Sequence, residues 1–172
     1  MEPNVILVDP LDNELGVLEK SMAHLAPHLH RAFSVFLHDG TRMLVQQRAL
    51  EKYHSGGLWA NTCCSHPRPG EDLTSSAVSR LYEETGIRCA DLNHQFEFTY
   101  IAKFDEFLYE YEYDHVFLGK YDGSFTPNPL EVEQMCWVEC ADLLLDLRVH
   151  PHKYTPWFLI CAPKIIRIIL EQ

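Results

Sequence analysis

Alternating apolar and polar positions predict most of the β-strands of this chain. The segment Phe96–Phe104 alternates mainly aromatic with mainly polar residues, and Phe107–Leu118 alternates again. A period of two places every second side chain on one face of a strand. Turn residues mark the ends of several further strands. Two of these strands would be joined by a hairpin at Asp39-Gly40. The further predicted strands are Val5–Val8, Leu15–Leu18, Ala32–Leu37, Met43–Gln46 and Glu131–Glu139.

The helical pattern is clearest after Asp72. This residue is placed to cap a helix over Leu73–Thr85, which Gly86 would end. At about 100° per residue, Glu84 falls on the same stripe as the apolar residues of this helix. A carboxylate on the inward face is costly unless it meets a cation or a hydrogen-bond donor. Glu84 is therefore a candidate functional residue.

Two other helices are predicted towards the C-terminus. Ala141–Leu147 is a short helix, and Thr155-Pro156 begins a closing helix that Pro163 should kink or interrupt. No long helix fits Ser21–His30, because Pro27 lies within it. Helices interspersed with strands, which are joined mostly as hairpins, predict an α+β fold, a mixed α/β/α sandwich. The length of 172 residues predicts a single domain over the whole chain.

Composition and charge narrow the classes of partner. The chain has 25 acidic and 14 basic residues and a formal net charge of -11, which argues against nucleic-acid binding as its main role. Clustered bases and metal ions can still bind an anionic small ligand. The start of the chain lacks the basic segment of a signal peptide, and no apolar run is long enough to span a membrane. We therefore expect a cytoplasmic protein with reduced cysteines and no membrane partner.

Paired carboxylates and histidines are the first candidates for chemistry. Glu110 and Glu112 share one face of a predicted strand, about 7 Å apart, and repel each other unless a metal ion or a proton lies between them. A solvated strand face is the alternative interpretation. Imidazoles joined by carboxylates suit Zn, Mn or Fe, although a lone histidine is more often a surface residue. The histidines considered are His24, His28, His30 and His66.

Thiols and basic side chains complete the set of candidates. Adjacent residues of a strand face opposite sides, so only one of Cys63 and Cys64 enters a given pocket. A thiol near a metal-bound His66 can act as a nucleophile or proton carrier. The alternative is a buried small hydrophobe, which describes Cys63 better. Arg80 lies one turn before Glu84 and fits either an ion pair or a phosphate contact. The scattered bases are Lys20, Arg48, Lys52 and Arg80.

Three segments of this chain resemble the type 1 isopentenyl-diphosphate delta-isomerase family of the Nudix superfamily. They are Asn61-Thr62-Cys63-Cys64-Ser65-His66-Pro67, the run Tyr109–Tyr113, and Tyr154-Thr155-Pro156-Trp157. The resemblance extends over nearly the whole chain, and Cys-Ser-His-Pro together with Glu-x-Glu is specific. It implies a Nudix-like fold with mixed sheets flanked by helices.

The sequence box of the superfamily is only partly present. Its pattern has Gly, Glu, Arg-Glu, Glu-Glu and Gly at fixed spacings. The Arg-Glu pair, which helps to bind metal for diphosphate hydrolysis, is replaced here by Ser79-Arg80. This departure weighs against a hydrolase and suits an isomerase that leaves the diphosphate intact. The matching positions in this chain are Ser65, Glu71, Ser79-Arg80, Glu83-Glu84 and Gly86.

Matched residue by residue, the resemblance implies a role for each candidate. Cys64 and Glu112 match the catalytic pair, and Glu84 matches a ligand of a second ion that is shared with the diphosphate. The matching metal-site residues are His24, His30, His66, Glu110 and Glu112, with His28 as an alternative to His24 or His30. The matching substrate-binding residues are Lys20, Arg48, Lys52 and Arg80 for the diphosphate, with Tyr100 and Trp157 as aromatic pocket residues.

The resemblance also implies a reaction. It is the interconversion of isopentenyl and dimethylallyl diphosphate in isoprenoid biosynthesis, by protonation and deprotonation through a tertiary carbocation. The implied cofactors are Mg²⁺ bound with the diphosphate and one Mn²⁺ or Zn²⁺ ion at the His/Glu site. A small allylic or homoallylic diphosphate is the implied partner, and we expect a monomer or weak homodimer. The alternatives are a Nudix-type diphosphate hydrolase and a non-catalytic metal-binding module.

Overall fold

A computed structural model describes residues 4–89 and 91–172 of this chain. Within them, the strands form one mixed nine-stranded sheet. The strands are β1 (Asn4–Val8), β2 (Glu14–Glu19), β3 (His30–His38), β4 (Arg42–Arg48), β5 (Trp59–Ala60), β6 (Cys63–Ser65), β7 (Asn93–Lys103), β8 (Tyr109–Lys120) and β9 (Val132–Glu139). The helices are α1 (Lys20–Leu25), α2 (Leu73–Thr85), α3 (Cys140–Val149) and α4 (Pro156–Leu170), with a 3-10 turn at Pro151–Lys153.

Strand β3 lies at the centre of the fold. It runs parallel to β8 along its whole length and antiparallel to β1, β4 and β6. Phe33, Val35 and Leu37 pack in the core under α2, whereas Phe36 packs in the core formed with α3 and α4. A strand with apolar residues on both faces is typical of a sheet that helices cover on both sides. The predicted α/β/α arrangement is thus confirmed.

Strands β7 and β8 form an antiparallel pair whose side chains alternate as predicted. Glu110, Glu112 and Asp114 are all buried on one face of β8. The tyrosines of the same strand leave it on the other face and are half-buried. The register of the pair shifts between His94 and Phe96, which marks a β-bulge in β7.

Helix α2 has the predicted bounds because both of its ends carry capping residues. Asp72 Oδ2 accepts the backbone N–H of Ser75 at 2.9 Å, and Gly86 ends the helix in the left-handed conformation with a φ of 70°. Ala77 and Leu81 are fully buried on the inward stripe, and Glu84 is 4% exposed beside them. The predicted inward carboxylate is therefore a buried one.

The other helices agree with prediction except at Pro163. Helix α1 is short and ends before Pro27, as expected. Helix α4 begins at Pro156 after Thr155 but continues through Pro163 to Leu170, so the predicted interruption is wrong. Buried residues on both sides of this proline pack against the sheet, and this burial offsets the hydrogen bond that proline cannot donate. No helix of the described residues is long and apolar enough to cross a membrane.

Candidate active site

One cleft of about 230 Å³ receives polar side chains from strands on both sides of β3. Ser34 of β3 lies opposite Cys64 of β6, and its hydroxyl donates to Asp114 Oδ2 of β8 at 2.8 Å. Cys64 and the carboxylates of β8 therefore belong to the same face of the sheet. Cys64, Glu110 and Glu112 line the same cleft.

Five side chains at the end of this cleft, which we call the His/Glu cluster, direct nitrogen and oxygen atoms towards one another. Glu110 Oε1 lies 2.5 Å from His24 Nε2 and 3.2 Å from His30 Nε2. His66 Nε2 lies 3.2 Å from His30 Nε2 and 2.8 Å from Glu112 Oε1. Tetrahedral ligands at about 2.1 Å from a zinc ion are about 3.4 Å apart. The four separations are shorter than this value, and the combination of imidazoles and carboxylates is one that a divalent metal ion binds.

The cluster includes His24 of α1 and His30, the first residue of β3, whereas His28 between them lies outside it. His28 is exposed, and its carbonyl oxygen lies 2.8 Å from His30 Nδ1. An Nδ1–H that donates to this carbonyl leaves the Nε2 atom of His30 free to bind a metal. The structure thus brings His24 and His30 to the cluster and leaves the imidazole of His28 outside it.

His54 belongs to the site although its sequence context did not indicate this. Its Nε2 lies 2.7 Å from Glu110 Oε2, on the carboxylate oxygen that His24 and His30 do not contact. The ring stacks on Phe104 with the centroids 4.4 Å apart, and Ser55 Oγ lies 3.2 Å from its Nδ1. A hydroxyl that donates to Nδ1 places the ring proton on Nε2, which then donates to Glu110.

Burial and neighbouring charges separate the acidities of the two glutamates. Burial raises the pKa of Glu112 well above its usual range, and the negative charges of Glu110 and Asp114 add to this effect. Burial would also raise the pKa of Glu110, but hydrogen bonds from His24 and two other imidazoles hold it well below its usual range. Glu110 is thus the more acidic of the two carboxyl groups, as expected for a close pair of acids.

Cys64 is a half-buried thiol at the cleft, whereas Cys63 faces the opposite side and is fully buried under α2. Burial raises the pKa of Cys64 to about 12, and the nearby Arg48 offsets only part of this effect. Arg48 Nη1 lies 3.9 Å from Cys64 Sγ. The thiol of Cys64 is therefore a proton donor and not a thiolate at neutral pH.

All four predicted bases line the cleft, together with Glu84. Arg80 pairs with Glu84 Oε1 at 2.8 Å, as one of its two interpretations predicted, and it also lines the cleft. Burial raises the pKa of Glu84, and the charge of Arg80 opposes this shift. Lys52 pairs with Glu131, a cleft carboxylate that had no distinguishing signal in the sequence. The four bases are Lys20, Arg48, Lys52 and Arg80.

The two predicted aromatic residues lie close to each other and near Glu112. The hydroxyl of Tyr100 donates to Glu112 Oε2 at 2.5 Å. The indole of Trp157 lines the cleft and donates to Asn61 Oδ1 at 3.1 Å. The ring centroids of Tyr100 and Trp157 are 6.3 Å apart. An aromatic wall therefore borders the carboxylate of Glu112.

Comparisons with known proteins agree with this fold. Residues 28–158 match the model of the NUDIX domain family. The chain is 50% identical over 167 residues to isopentenyl-diphosphate delta-isomerase 1 of Aromatoleum aromaticum, covering 96% of this chain and 94% of the relative. It is 47% identical to isopentenyl-diphosphate delta-isomerase 2 of the same organism, covering 96% of this chain and 88% of the relative. A crystal structure of a Deinococcus radiodurans protein has the same fold, with a TM-score of 0.75, 15% identity, and coverage of 94% of this chain and 98% of that one.

Proposed function

We propose that this chain, which belongs to the isopentenyl-diphosphate delta-isomerase family of NUDIX-domain proteins, interconverts isopentenyl and dimethylallyl diphosphate. The observation that carries this proposal is the placement of a protonated thiol, Cys64, and a carboxyl group, Glu112, in one cleft. They come from strands on opposite sides of β3. Two groups that approach a small substrate from different sides can add a proton to one carbon and remove a proton from another.

Moving a double bond through a tertiary carbocation requires an acid and a base that exchange roles between the two directions. In the proposed reaction, a proton is added to the terminal carbon of the double bond, and another is removed from the neighbouring methylene. In the direction that forms dimethylallyl diphosphate, the Cys64 thiol donates its proton to the terminal carbon, and the unprotonated carboxylate of Glu112 accepts the proton from the methylene. In the reverse direction, the Glu112 carboxyl group donates and the Cys64 thiolate accepts. The hydrogen bond from Tyr100 fixes Oε2 of Glu112, while Oε1 lies beside His66, so the carboxyl group is held in one orientation at the cleft.

The His/Glu cluster fits a resident divalent ion, and we assign Mn²⁺ or Zn²⁺ to it. His24, His30, His66 and Glu110 would hold this ion, whose charge would tune the acidity of the adjacent Glu112. The chain's own contribution is orientation. The backbone carbonyl of His28 contacts His30 Nδ1, and the imidazole of His54 contacts Glu110 Oε2. These two contacts hold two of the ligands in position.

The basic end of the cleft would hold the diphosphate away from the reacting carbons. Arg80 and Arg48 offer guanidinium donors, which suit phosphate oxygens, and Lys20 and Lys52 add two ammonium groups. Glu84 would help to hold Mg²⁺ shared with the diphosphate. In the proposed reaction only the double bond moves, so the substrate keeps both its carbon skeleton and its diphosphate.

The aromatic wall would stabilise the positive charge of the carbocation. An aromatic face is worth about 2 kcal/mol to a desolvated cation. Trp157 is 3% exposed, and its burial also helps to exclude water, which would otherwise capture the cation. We assign the reaction to the cytoplasm, with a small diphosphate as the partner.

The deciding experiment is incubation of the purified protein with isopentenyl diphosphate and Mg²⁺, with and without a chelator. An isomerase forms dimethylallyl diphosphate without releasing phosphate. Release of phosphate would favour the hydrolase alternative, and retained metal without turnover would favour the non-catalytic module. The chain supplies a matched pair of variants. Cys64→Ser should nearly abolish isomerisation and Cys63→Ser should keep most of it, so equal activity in both variants would contradict the role of Cys64.

A further inference from the structure

A second group of metal-binding side chains lies on the outer face of the β7–β8 pair. His94 Nε2 lies 3.3 Å from His115 Nδ1 and 3.5 Å from Glu97 Oε2. The three donor atoms all lie within 4.8 Å of one another. We propose that these three side chains, which we call the outer site, bind a divalent transition-metal ion of the zinc class. The outer site is separate from the His/Glu cluster.

A β-bulge brings these side chains to one face. Glu97 and His115 lie directly opposite each other in the strand register, so their side chains share a face. His94 is three residues before Glu97 and would face the other way in a regular strand. The register shift between His94 and Phe96 adds one residue, which turns His94 to the same face. Glu112 and Asp114 leave β8 on the opposite face, towards the cleft.

The spacing of the outer site matches the geometry of a zinc ion. Ligands in tetrahedral coordination at about 2.1 Å lie about 3.4 Å apart, and the separations of His94 Nε2 from His115 Nδ1 and from Glu97 Oε2, 3.3 Å and 3.5 Å, lie on either side of this value. Two imidazoles and one carboxylate form a donor set that suits zinc and similar ions. A water molecule would supply the fourth ligand.

A supporting carboxylate also fixes the orientation of His115. Asp12 Oδ2 lies 2.9 Å from His115 Nε2, so Nε2–H donates to the carboxylate and the lone pair of Nδ1 points to the outer site. Arg31 Nε donates to the other oxygen of Asp12 at 2.8 Å, which holds the carboxylate in place. A carboxylate that accepts the second ring N–H of a ligating histidine is a regular feature of metal sites. A supporting carboxylate such as Asp12 is expected at a metal site, whereas a chance contact between two surface imidazoles would not require one.

The test is equilibrium dialysis of the purified protein against Zn²⁺ alone, with the bound metal measured by elemental analysis. We expect His94→Gln and Glu97→Gln each to bind one equivalent less than the wild type at a zinc concentration that saturates it. Both side chains are nearly half exposed, so neither change should unfold the protein. His152→Gln, at another exposed histidine, is the matched control and should bind as many equivalents as the wild type. Equal stoichiometry in all four proteins would overturn the proposal.

A second measurement locates the ion. In ¹⁵N-labelled protein, zinc should shift the Nδ1 resonance of His115 while Nε2 keeps its proton, and Glu97→Gln should remove the shift. Isomerisation should be unchanged in these variants, because the outer site lies outside the cleft. A His115 ring that does not respond to saturating zinc would overturn the proposal even if the stoichiometry differed.

Discussion

Replacing His54 with alanine should weaken metal binding at the His/Glu cluster by one to two powers of ten. His54 Nε2 donates to Glu110 Oε2 at 2.7 Å, and both side chains are 3% exposed. A hydrogen bond to a charged group is worth about 1.5–3 kcal/mol, which corresponds to a factor of about 10 to 150 in an equilibrium constant. The expected range agrees with the effect of removing other partners that orient metal ligands, about 10- to 100-fold.

The assay is competition for Zn²⁺ between the purified protein and a chromophoric chelator. The measurement uses the His94→Gln background, so that the outer site does not contribute to the signal. His54→Gln keeps a side-chain N–H and should lose less affinity than His54→Ala, whereas a purely structural role would not produce this order. His28→Ala removes an exposed imidazole and should keep the parent affinity. If His54→Ala binds zinc within threefold of the parent, the proposed orienting role is refuted.

Three further predictions concern catalysis and stability. Trp157→Leu should lower kcat about 10- to 30-fold with little change in KM, because about 2 kcal/mol of cation stabilisation is lost. A change in kcat of less than threefold in steady-state kinetics would contradict this prediction. Tyr100→Phe leaves a buried oxygen of Glu112 without its donor and should lower the free energy of unfolding in urea by about 1–3 kcal/mol. Unchanged stability would show that this hydrogen bond is replaced by another. Hydrogen bonds from Tyr154 and His150 lower the pKa of Asp146 to about 2 from 3.8. The ionised carboxylate therefore stabilises the protein above about pH 4, and this contribution is lost as the pH falls towards 2. The difference in Tm between wild type and Asp146→Asn should shrink over that interval, and a constant difference would contradict the assignment.

The sequence was sufficient to predict helix ends and strand faces that depend only on residues close together along the chain. Helix α2 has the predicted bounds because Asp72 and Gly86 mark its two ends within the sequence. Alternation also predicted that Glu110 and Glu112 share one face of β8, and burial of that face follows from the packing of the sheet. Side-chain direction is a property of the local backbone, so periodicity is enough to predict it.

Residues whose position depends on distant contacts were not predictable in this way. His54 lies in a loop without periodicity, and only the packed fold brings it to Glu110. The bulge at His94–Phe96 moves the side chain of His94 to the other face of β7, and no turn residue in the sequence indicates this bulge. Pro163 stays within α4 because tertiary packing on both sides of it outweighs its low helical propensity. In each case, the deciding free energy comes from contacts between elements and not from the local sequence.

Arg80 explains how helix α2 can serve an enzyme that keeps a diphosphate intact. In the superfamily box, a glutamate at this position would add a third carboxylate beside Glu83 and Glu84, and three close carboxylates favour binding of divalent ions. In this chain, Arg80 Nη1 lies 2.6 Å from Glu83 Oε2, and Arg80 Nη2 lies 2.8 Å from Glu84 Oε1. The guanidinium neutralises part of this negative charge and provides donors for phosphate oxygens. The helix is thereby suited to hold a diphosphate, while the proton transfer to carbon that we propose would involve Cys64 and Glu112 on the strands.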